Sequence, residues 1–177
     1  PETKLLKGET TPNYIDKFRS HKRMASVVPN TKLILILRNP VDRAYSQWNH
    51  FNQTYKYTKN WGWELIDFER AMTENKCFIQ SRGHYIDQIN SLLNHFSREQ
   101  LYICFTHDLK NCMPKEMERI YHFLGIRIIK GTYSVQHKRK YKEPMKIETR
   151  TQLLNKYKQH NKKLFDFLGY RIPEWDI

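Results

Sequence analysis

The feature that most constrains the fold is an uninterrupted apolar run, Leu33–Leu37, which ends abruptly at Arg38-Asn39-Pro40. A second run of the same kind, Leu101–Phe105, lies further along the chain. Strands that are apolar at every position are typical of parallel sheets, in which helices cover both faces. The two runs therefore predict two buried parallel strands, and the shorter stretch Lys4–Lys7 predicts a third.

Helical patterns fall between and after these runs. Pro40 suits a first helical position, where its missing N–H is not needed, and Gly125 and Gly169 suit helix ends. Strands that alternate with helices predict an α/β fold. Apolar residues at three-and-four spacing predict helices over Tyr85–Phe96, Met117–Leu124 and Ile147–Leu168.

The composition supports a single folded domain. The chain has 177 residues, of which 39% are hydrophobic and 14% aromatic, and this argues against disorder. No apolar run approaches the ~20 residues of a membrane span. Cys77, Cys104 and Cys112 form no CxxC pair and no metal-ligand spacing, so we expect neither a disulfide framework nor a metal site. Cys104 lies inside an apolar run and is predicted to pack as a small hydrophobic residue.

The chain is strongly basic. Thirty-one Lys and Arg residues against eighteen Asp and Glu give a net charge of +13. Such an excess favours nucleic acid, acidic glycan, phosphate-rich cofactors or anionic membrane as partners, although a solvated lysine-rich surface would also account for it. The densest run, His137–Lys142, is typical of an anion site.

Two polar clusters follow predicted strands, where ligands bind in open α/β sheets. Glu9 follows the first strand, and Arg38 follows Leu33–Leu37 beside a helix N-terminus, where it could make forked hydrogen bonds to phosphate. Ser46 and His50 are four residues apart and would share one face of that helix.

A structural explanation of the same residues stays open. Arg38 or Arg43 could form an ion pair with Asp42 or Asp87, and the Ser46 hydroxyl could simply face solvent.

These segments resemble the sulfotransferases that use 3′-phosphoadenosine 5′-phosphosulfate (PAPS), above all the heparan sulfate type and its bacterial relatives. "KLILILRNPVDRAYSQWNH" resembles their 3′-phosphate-binding segment, and "GETTPNY" resembles the segment that bears the catalytic base. "RGHYIDQINSLLNHFSREQLYICFTHDL", "IYHFLGI" and "NKKLFDFLGYRIPEW" resemble later segments in the same order. The resemblance implies a three-layer P-loop-NTPase-like parallel sheet flanked by helices, with residues 1–177 as a single domain.

The resemblance also implies roles for individual residues. Arg38 and Ser46 would hold the 3′-phosphate of PAPS, and Glu9 would be the general base that deprotonates the hydroxyl or amine of the acceptor. His50 stands where the N-sulfotransferase branch has a histidine implicated in catalysis. The further cofactor-binding residues that it implies are Arg82, Gly83, Arg139 and Tyr141.

The chain departs from the family pattern at three points. Thr10 replaces the usual lysine after the base, and Lys138 replaces the glycine of a Gly-Arg-x-Tyr-Pro loop. No Gly-rich loop that would cradle the 5′-phosphosulfate is present. The resemblance therefore implies the C-terminal two-thirds of a domain without its first strand–loop–helix unit. We expect the isolated chain to bind adenosine 3′,5′-bisphosphate weakly and to turn over PAPS poorly or not at all.

Two functions remain after this comparison. The first is transfer of a sulfuryl group from PAPS to an acceptor, without a metal. For this function an anionic glycan is favoured over nucleic acid as the partner. Contacts to the acceptor would come from the Tyr55–Trp63 loop, including Trp61 and Trp63. The second is a basic glycan- or nucleic-acid-binding module derived from a sulfotransferase, without catalysis. A P-loop kinase is disfavoured because GxxxxGK[ST] is absent. The compartment stays open: the Golgi lumen for a eukaryotic heparan-type enzyme, the cytoplasm for a bacterial or viral one.

Overall fold

Two parallel strands form the sheet in the described part of the chain. The computed structural model describes residues 6–129, 131, 133, 141 and 143–175. Strand β1 is Leu33–Leu37 and strand β2 is Leu101–Phe105, as predicted. They pair in parallel from Leu33 opposite Leu101 to Leu37 opposite Phe105, so their carboxyl ends lie at one edge.

The helices predicted from the three-and-four spacing of apolar residues are present in the structure. Pro40 is the first residue of its helix, and left-handed glycines, Gly125 at φ 73° and Gly169 at φ 78°, follow the last two helices. Glycine adopts this conformation without the steric cost that a Cβ would bring. The described α-helices are α1 Phe18–Val27, α2 Pro40–Gln53, α3 Tyr55–Thr58, α4 Phe68–Thr73, α5 Tyr85–Leu93, α6 Thr106–Asn111, α7 Met113–Leu124 and α8 Ile147–Leu168. Three-residue 3-10 helices lie at Pro12–Tyr14, Lys59–Trp61, Lys76–Phe78, Ser81–Gly83, Arg98–Gln100 and Pro173–Trp175. None of the described helices is long and apolar enough to cross a membrane.

The longest helix, α8, joins two apolar clusters. Its 22 residues extend for about 33 Å at 1.5 Å per residue. Leu153 and Tyr157 belong to a cluster formed with α2 and α4, and Leu164 belongs to a cluster on the inner face of the sheet. The inner-face cluster comprises Leu37, Tyr85, Ile86, Ile89, Leu101, Phe105, Leu164, Ile172 and Trp175. Because α8 contributes to both clusters, it fixes α2 relative to the sheet.

The outer face of the sheet is covered over β2. The Tyr102 ring lies 5.3 Å from the Phe123 ring of α7, and its hydroxyl donates to the buried Glu116 carboxylate at 2.7 Å. Cys104 is buried as predicted, and this burial raises the pKa of its thiol to about 12. The thiol is therefore protonated and serves as a small packing group.

The outer face of β1 is not covered. Ile34 is 36% exposed and Ile36 is 56% exposed, so the prediction of cover on both faces is wrong for this strand. In the described residues β1 pairs only with β2, and α7 packs on β2. Within the predicted Lys4–Lys7 strand, Leu6 and Lys7 have no regular structure, and the first two residues lie outside the described part.

We expect substitutions on the two faces of β1 to differ sharply. Leu37→Ala should lower the free energy of unfolding by about 2–5 kcal/mol because it leaves a cavity in the inner cluster. Ile36→Thr keeps a β-branched side chain at an exposed position and should cost less than about 1 kcal/mol. Urea denaturation of the two variants measures both effects. A loss for Ile36→Thr as large as that for Leu37→Ala would mean that the outer face of β1 is covered.

Candidate functional site

A small cleft lies at the edge where β1 and β2 end. Arg38 directly follows β1, and Thr106 and His107 directly follow β2. The cleft has a volume of about 80 Å³, far below the roughly 300–1,000 Å³ of a pocket that encloses a whole ligand. It could therefore accept one anionic group but not an entire nucleotide. Its lining consists of Arg38, Asn39, Asp42, Thr106, His107, Lys110, Glu174 and Trp175.

The turn from β1 into α2 fixes the position of Arg38. Asn39 caps α2: its side-chain oxygen accepts from the N–H of Val41 at 2.9 Å. The Tyr85 hydroxyl donates to the backbone carbonyl of Arg38 at 2.8 Å. Burial raises the pKa of Tyr85, so the phenol stays protonated as the donor. The backbone of Arg38 is therefore held from both sides, and its side chain is left to the cleft.

The Arg38 guanidinium has no hydrogen-bond or ion-pair partner among the described residues. The alternative in which Arg38 or Arg43 pairs with Asp42 does not describe this structure. Asp42 instead accepts from Arg150 at 2.7 Å. Arg43 donates to Gln47 at 2.7 Å and to the backbone carbonyl of Ile79. A half-buried cation at a strand end, beside a capped helix N-terminus, is well placed to bind an anion.

Gly83 brings its 3-10 helix against the start of α2. A Cβ on Gly83 would lie 2.7 Å from the Tyr157 ring and 2.9 Å from Cβ of Pro40, two residues after Arg38. The structure therefore places Gly83 directly against Pro40, the first residue of α2. The adjacent Arg82 donates to Asp16 at 2.6 Å, and both side chains are mostly buried. That ion pair ties the segment that follows Glu9 to the same region of the fold.

Ser46 and His50 lie on one face of α2, as predicted, and both are half-buried. Neither lines the cleft. Tyr141 packs edge-on against Tyr45, the neighbour of Ser46, with ring centroids 5.5 Å apart. A 3′-phosphate held jointly by Arg38 and Ser46 stays a prediction.

Glu9 and Arg139 are the two predicted site residues that the structure does not link to the others. Glu9 is exposed on an irregular segment, and no contact joins it to Arg38 or Ser46 among the described residues. Arg139, with most of the basic run His137–Lys142, lies outside the described residues.

The two tryptophans of the predicted acceptor segment have different environments. Trp63 is 2% exposed, and its ring nitrogen donates to Asn52 at 2.8 Å. Trp61 is 65% exposed, and its ring centroid lies 6.1 Å from that of Phe51. Trp63 therefore packs in the core, and Trp61 has the exposed face that sugar stacking requires. The segment is not a loop, because it forms α3 and a 3-10 helix.

Sequence reasoning missed the side of the cleft that follows β2. Thr106, His107 and Lys110 line it, and the strand-end rule used for Arg38 would have found them if applied after Leu101–Phe105. The sequence predicts Tyr85 only as part of an apolar helix face, because its spacing carries no sign of the hydrogen bond to the backbone carbonyl of Arg38.

We expect Gly83→Ala to destabilise the protein by about 1–3 kcal/mol, because the new methyl overlaps the Tyr157 ring and Pro40. Gly8→Ala is the matched control, since a Cβ there meets no atom within 4 Å. Thermal unfolding of both variants measures the difference. Equal stability of the two variants would show that the Gly83 segment does not pack tightly on α2 and α8.

A family model described as "Sulfotransferase domain" matches residues 6–172. The bifunctional heparan sulfate N-deacetylase/N-sulfotransferase 4 of Mus musculus is 29% identical over 205 residues, which cover 94% of this chain and 23% of that protein. The membrane-associated sulfotransferase kil1 of Dictyostelium discoideum is 24% identical over 254 residues, covering 95% of this chain and 53% of that protein. The chain thus spans about a quarter of the first relative and about half of the second.

A solved structure shares the fold. The sulfotransferase from Alicyclobacillus acidocaldarius superposes with a TM-score of 0.77 at 19% identity, covering 93% of this chain and 65% of that chain. This likeness confirms the predicted architecture, a P-loop-like α/β fold with a parallel sheet and flanking helices.

Proposed function

The chain belongs to the sulfotransferase domain family, and on that premise we propose that it transfers a sulfuryl group from PAPS to a hydroxyl or amine of an acceptor. In this proposal Arg38 and Ser46 hold the 3′-phosphate of the donor. Glu9 accepts the proton of the attacking group, and His50 assists. Gly83 and Tyr141 lie beside the nucleotide, together with Arg82 and Arg139.

The observation that carries the proposal is the Arg38 guanidinium at the end of β1, which has no partner among the residues that the structure describes. His107 and Lys110 approach the same cleft from the β2 side, and Arg150 offsets the charge of Asp42. Glu174 also lines the cleft, so Arg38, Lys110 and Arg150 stand against Asp42 and Glu174, and the cleft with its rim carries one more cationic than anionic group. Its volume suits one phosphate group of a nucleotide whose remainder lies over the strand ends.

The chemistry matches the residue types at hand. In-line transfer of a sulfuryl group needs a positioned nucleophile, a base and cations around the developing charge, as phosphoryl transfer does. A carboxylate such as Glu9 can accept the proton, and Arg38 can stabilise the nucleotide product. The proposed mechanism uses no metal.

We propose an acidic glycan as the acceptor. Several relatives are named for heparan sulfate, and a net charge of +13 attracts polyanions. Exposed Trp61 can stack on a sugar ring. Lys56 of α3 and Lys59 of the adjoining 3-10 helix, also exposed, precede it in the chain and can meet sulfate or carboxylate groups.

The same net charge favours a second candidate, a polyanion-binding module without catalysis. Such a module would bind heparin or nucleic acid through summed charge. It would not require Arg38 in particular, since any of the many exposed cations could contribute.

Binding of adenosine 3′,5′-bisphosphate separates the two candidates. Arg38→Ala should weaken its affinity by about 1.5–3 kcal/mol, or roughly ten- to a hundredfold, because a charge-assisted phosphate contact is lost. Arg23→Ala removes the same charge from an exposed position on α1 and should leave the affinity unchanged. Calorimetric titration measures both. Equal affinity of the two variants, with heparin or DNA binding as well as the nucleotide does, would favour the module.

The role of Glu9 is tested by turnover. In an active protein that contains this chain, Glu9→Gln should slow sulfuryl transfer by roughly 10²–10⁴-fold, the usual contribution of a general base. Affinity for the nucleotide should be retained. Glu148→Gln, an exposed glutamate at the start of α8, is the matched control. Wild-type turnover in Glu9→Gln would exclude Glu9 as the base.

A further inference from the structure

Two histidines and an aspartate converge where α5 packs against α8, and none of them lines the cleft at the strand ends. His84 immediately precedes α5, Asp87 lies in its first turn, and His160 lies on α8. Ring nitrogens of the two histidines and a carboxylate oxygen of Asp87 lie within 4.8 Å of one another. We propose that these residues, the His84–Asp87–His160 cluster, bind a divalent transition-metal ion of the Zn²⁺ type.

The fold explains why these three side chains meet. His84 and Asp87 are three residues apart at the start of a helix, so they lie on one side of it. Ile86 and Ile89 of α5 and Leu164 of α8 belong to the same buried cluster, which fixes the two helices against each other. The ligands therefore come from rigid, packed elements, which is the arrangement that holds a metal site in place.

The ring of His160 has an unsatisfied nitrogen. Its Nδ1 is buried and has no hydrogen-bond partner among the described residues. The Asp87 Oδ2 that approaches it lies 3.8 Å away, which is too far for a hydrogen bond. A nitrogen in this position has lost water without gaining a protein partner. A metal ion between Nδ1 and Oδ2 would supply that partner.

The two imidazole rings lie in direct contact. Those of His84 and His160 stack with centroids 3.7 Å apart and planes 2° from parallel, a geometry in which two imidazolium ions would repel. Burial lowers the pKa of His84, and the adjacent His160 lowers it further. Neutral imidazole is the form that binds metals.

Coordination requires a local rearrangement of these side chains. A metal ion lies in the plane of each ring that binds it, so one ring must turn out of the stack. With Zn–N distances of about 2.1 Å, the ligand atoms of a tetrahedral site lie about 3.4 Å apart, whereas the present separations extend up to 4.8 Å, so the atoms must approach one another by up to about 1.4 Å. Rotation about side-chain torsions produces movements of this size.

The chemical types of the three ligands determine which class of metal ion would bind. Ca²⁺ and Mg²⁺ require about six or more oxygen ligands, whereas the cluster offers one carboxylate. Arg43 and Lys156 add positive charge near His84, which further disfavours an ion held by charge alone. Two imidazoles and a carboxylate, with water as the fourth ligand, suit tetrahedral Zn²⁺.

Metal binding at the cluster would strengthen the packing around Gly83. The His84 ring contacts the Tyr157 ring edge-on at 6.0 Å, and Tyr157 contacts Gly83. An ion that joins α5 to α8 would therefore hold the 3-10 helix at Ser81–Gly83 against the start of α2. This structural role does not depend on the proposed sulfuryl transfer.

The test uses the 177-residue chain after removal of metal by a chelator. Calorimetric titration with Zn²⁺ should show one tight site per chain, and Co²⁺ should give the visible absorption bands of tetrahedral coordination. Zn²⁺ should raise the midpoint of thermal unfolding, and Mg²⁺ at the same concentration should not.

Three variants locate the ion. His160→Gln and Asp87→Asn should each raise the Kd for Zn²⁺ roughly tenfold or more and remove the Co²⁺ bands. His95→Gln, which removes an exposed histidine beyond the end of α5, should leave binding unchanged. Asp87 is exposed, so Asp87→Asn should fold normally and still tests the site if His160→Gln does not fold. Absence of saturable Zn²⁺ binding, or wild-type binding by Asp87→Asn, would overturn the proposal, as would an equal effect of Mg²⁺.

Discussion

The parallel pairing of β1 with β2 is the interaction on which the rest of the structure depends. Because Leu37 lies opposite Phe105, the chain leaves both strands at the same edge of the sheet, and Arg38 and Thr106 emerge side by side. A shift of one residue would move the apolar inner residues of one strand to the opposite face. The register therefore sets both the inner core and the cleft, and the cationic groups at the cleft follow from it.

A second constraint is the close packing around Gly83, which joins three elements that are distant in sequence. Pro40 begins α2, Tyr157 belongs to α8, and a side chain at Gly83 would collide with both. Arg82 extends the same junction to Asp16, and His84 extends it to His160. The proposed nucleotide site and the proposed metal site thus share one rigid junction, although they require different ligands and can be tested separately.

The proposed sulfuryl transfer and the alternative binding module depend on charge in different ways: the module requires only summed surface charge, whereas the transfer requires one cation at a defined position. Summed charge is a property of the whole surface, and +13 serves either function. A half-buried guanidinium that finds no partner in the described part of the chain is a local property, and its burial has a cost in solvation. That cost is easier to understand if an anion binds there, and for this reason Arg38, more than the net charge, supports the enzymatic proposal.

The sequence by itself determined strands β1 and β2, the ends of α7 and α8, and the position of Arg38 at the end of β1. Unbroken apolar runs, three-and-four periodicity and terminal glycines are local signals, and each of them reports on its own segment of chain. Only the tertiary structure decided that Arg82 binds Asp16 while Arg38 pairs with none of the described residues, and that Trp63 is buried while Trp61 is exposed. It also decided that the outer face of β1 is uncovered, and that His84 and His160 meet. Those outcomes depend on which distant segments pack together, and neither spacing nor composition encodes that packing in a form that can be read locally.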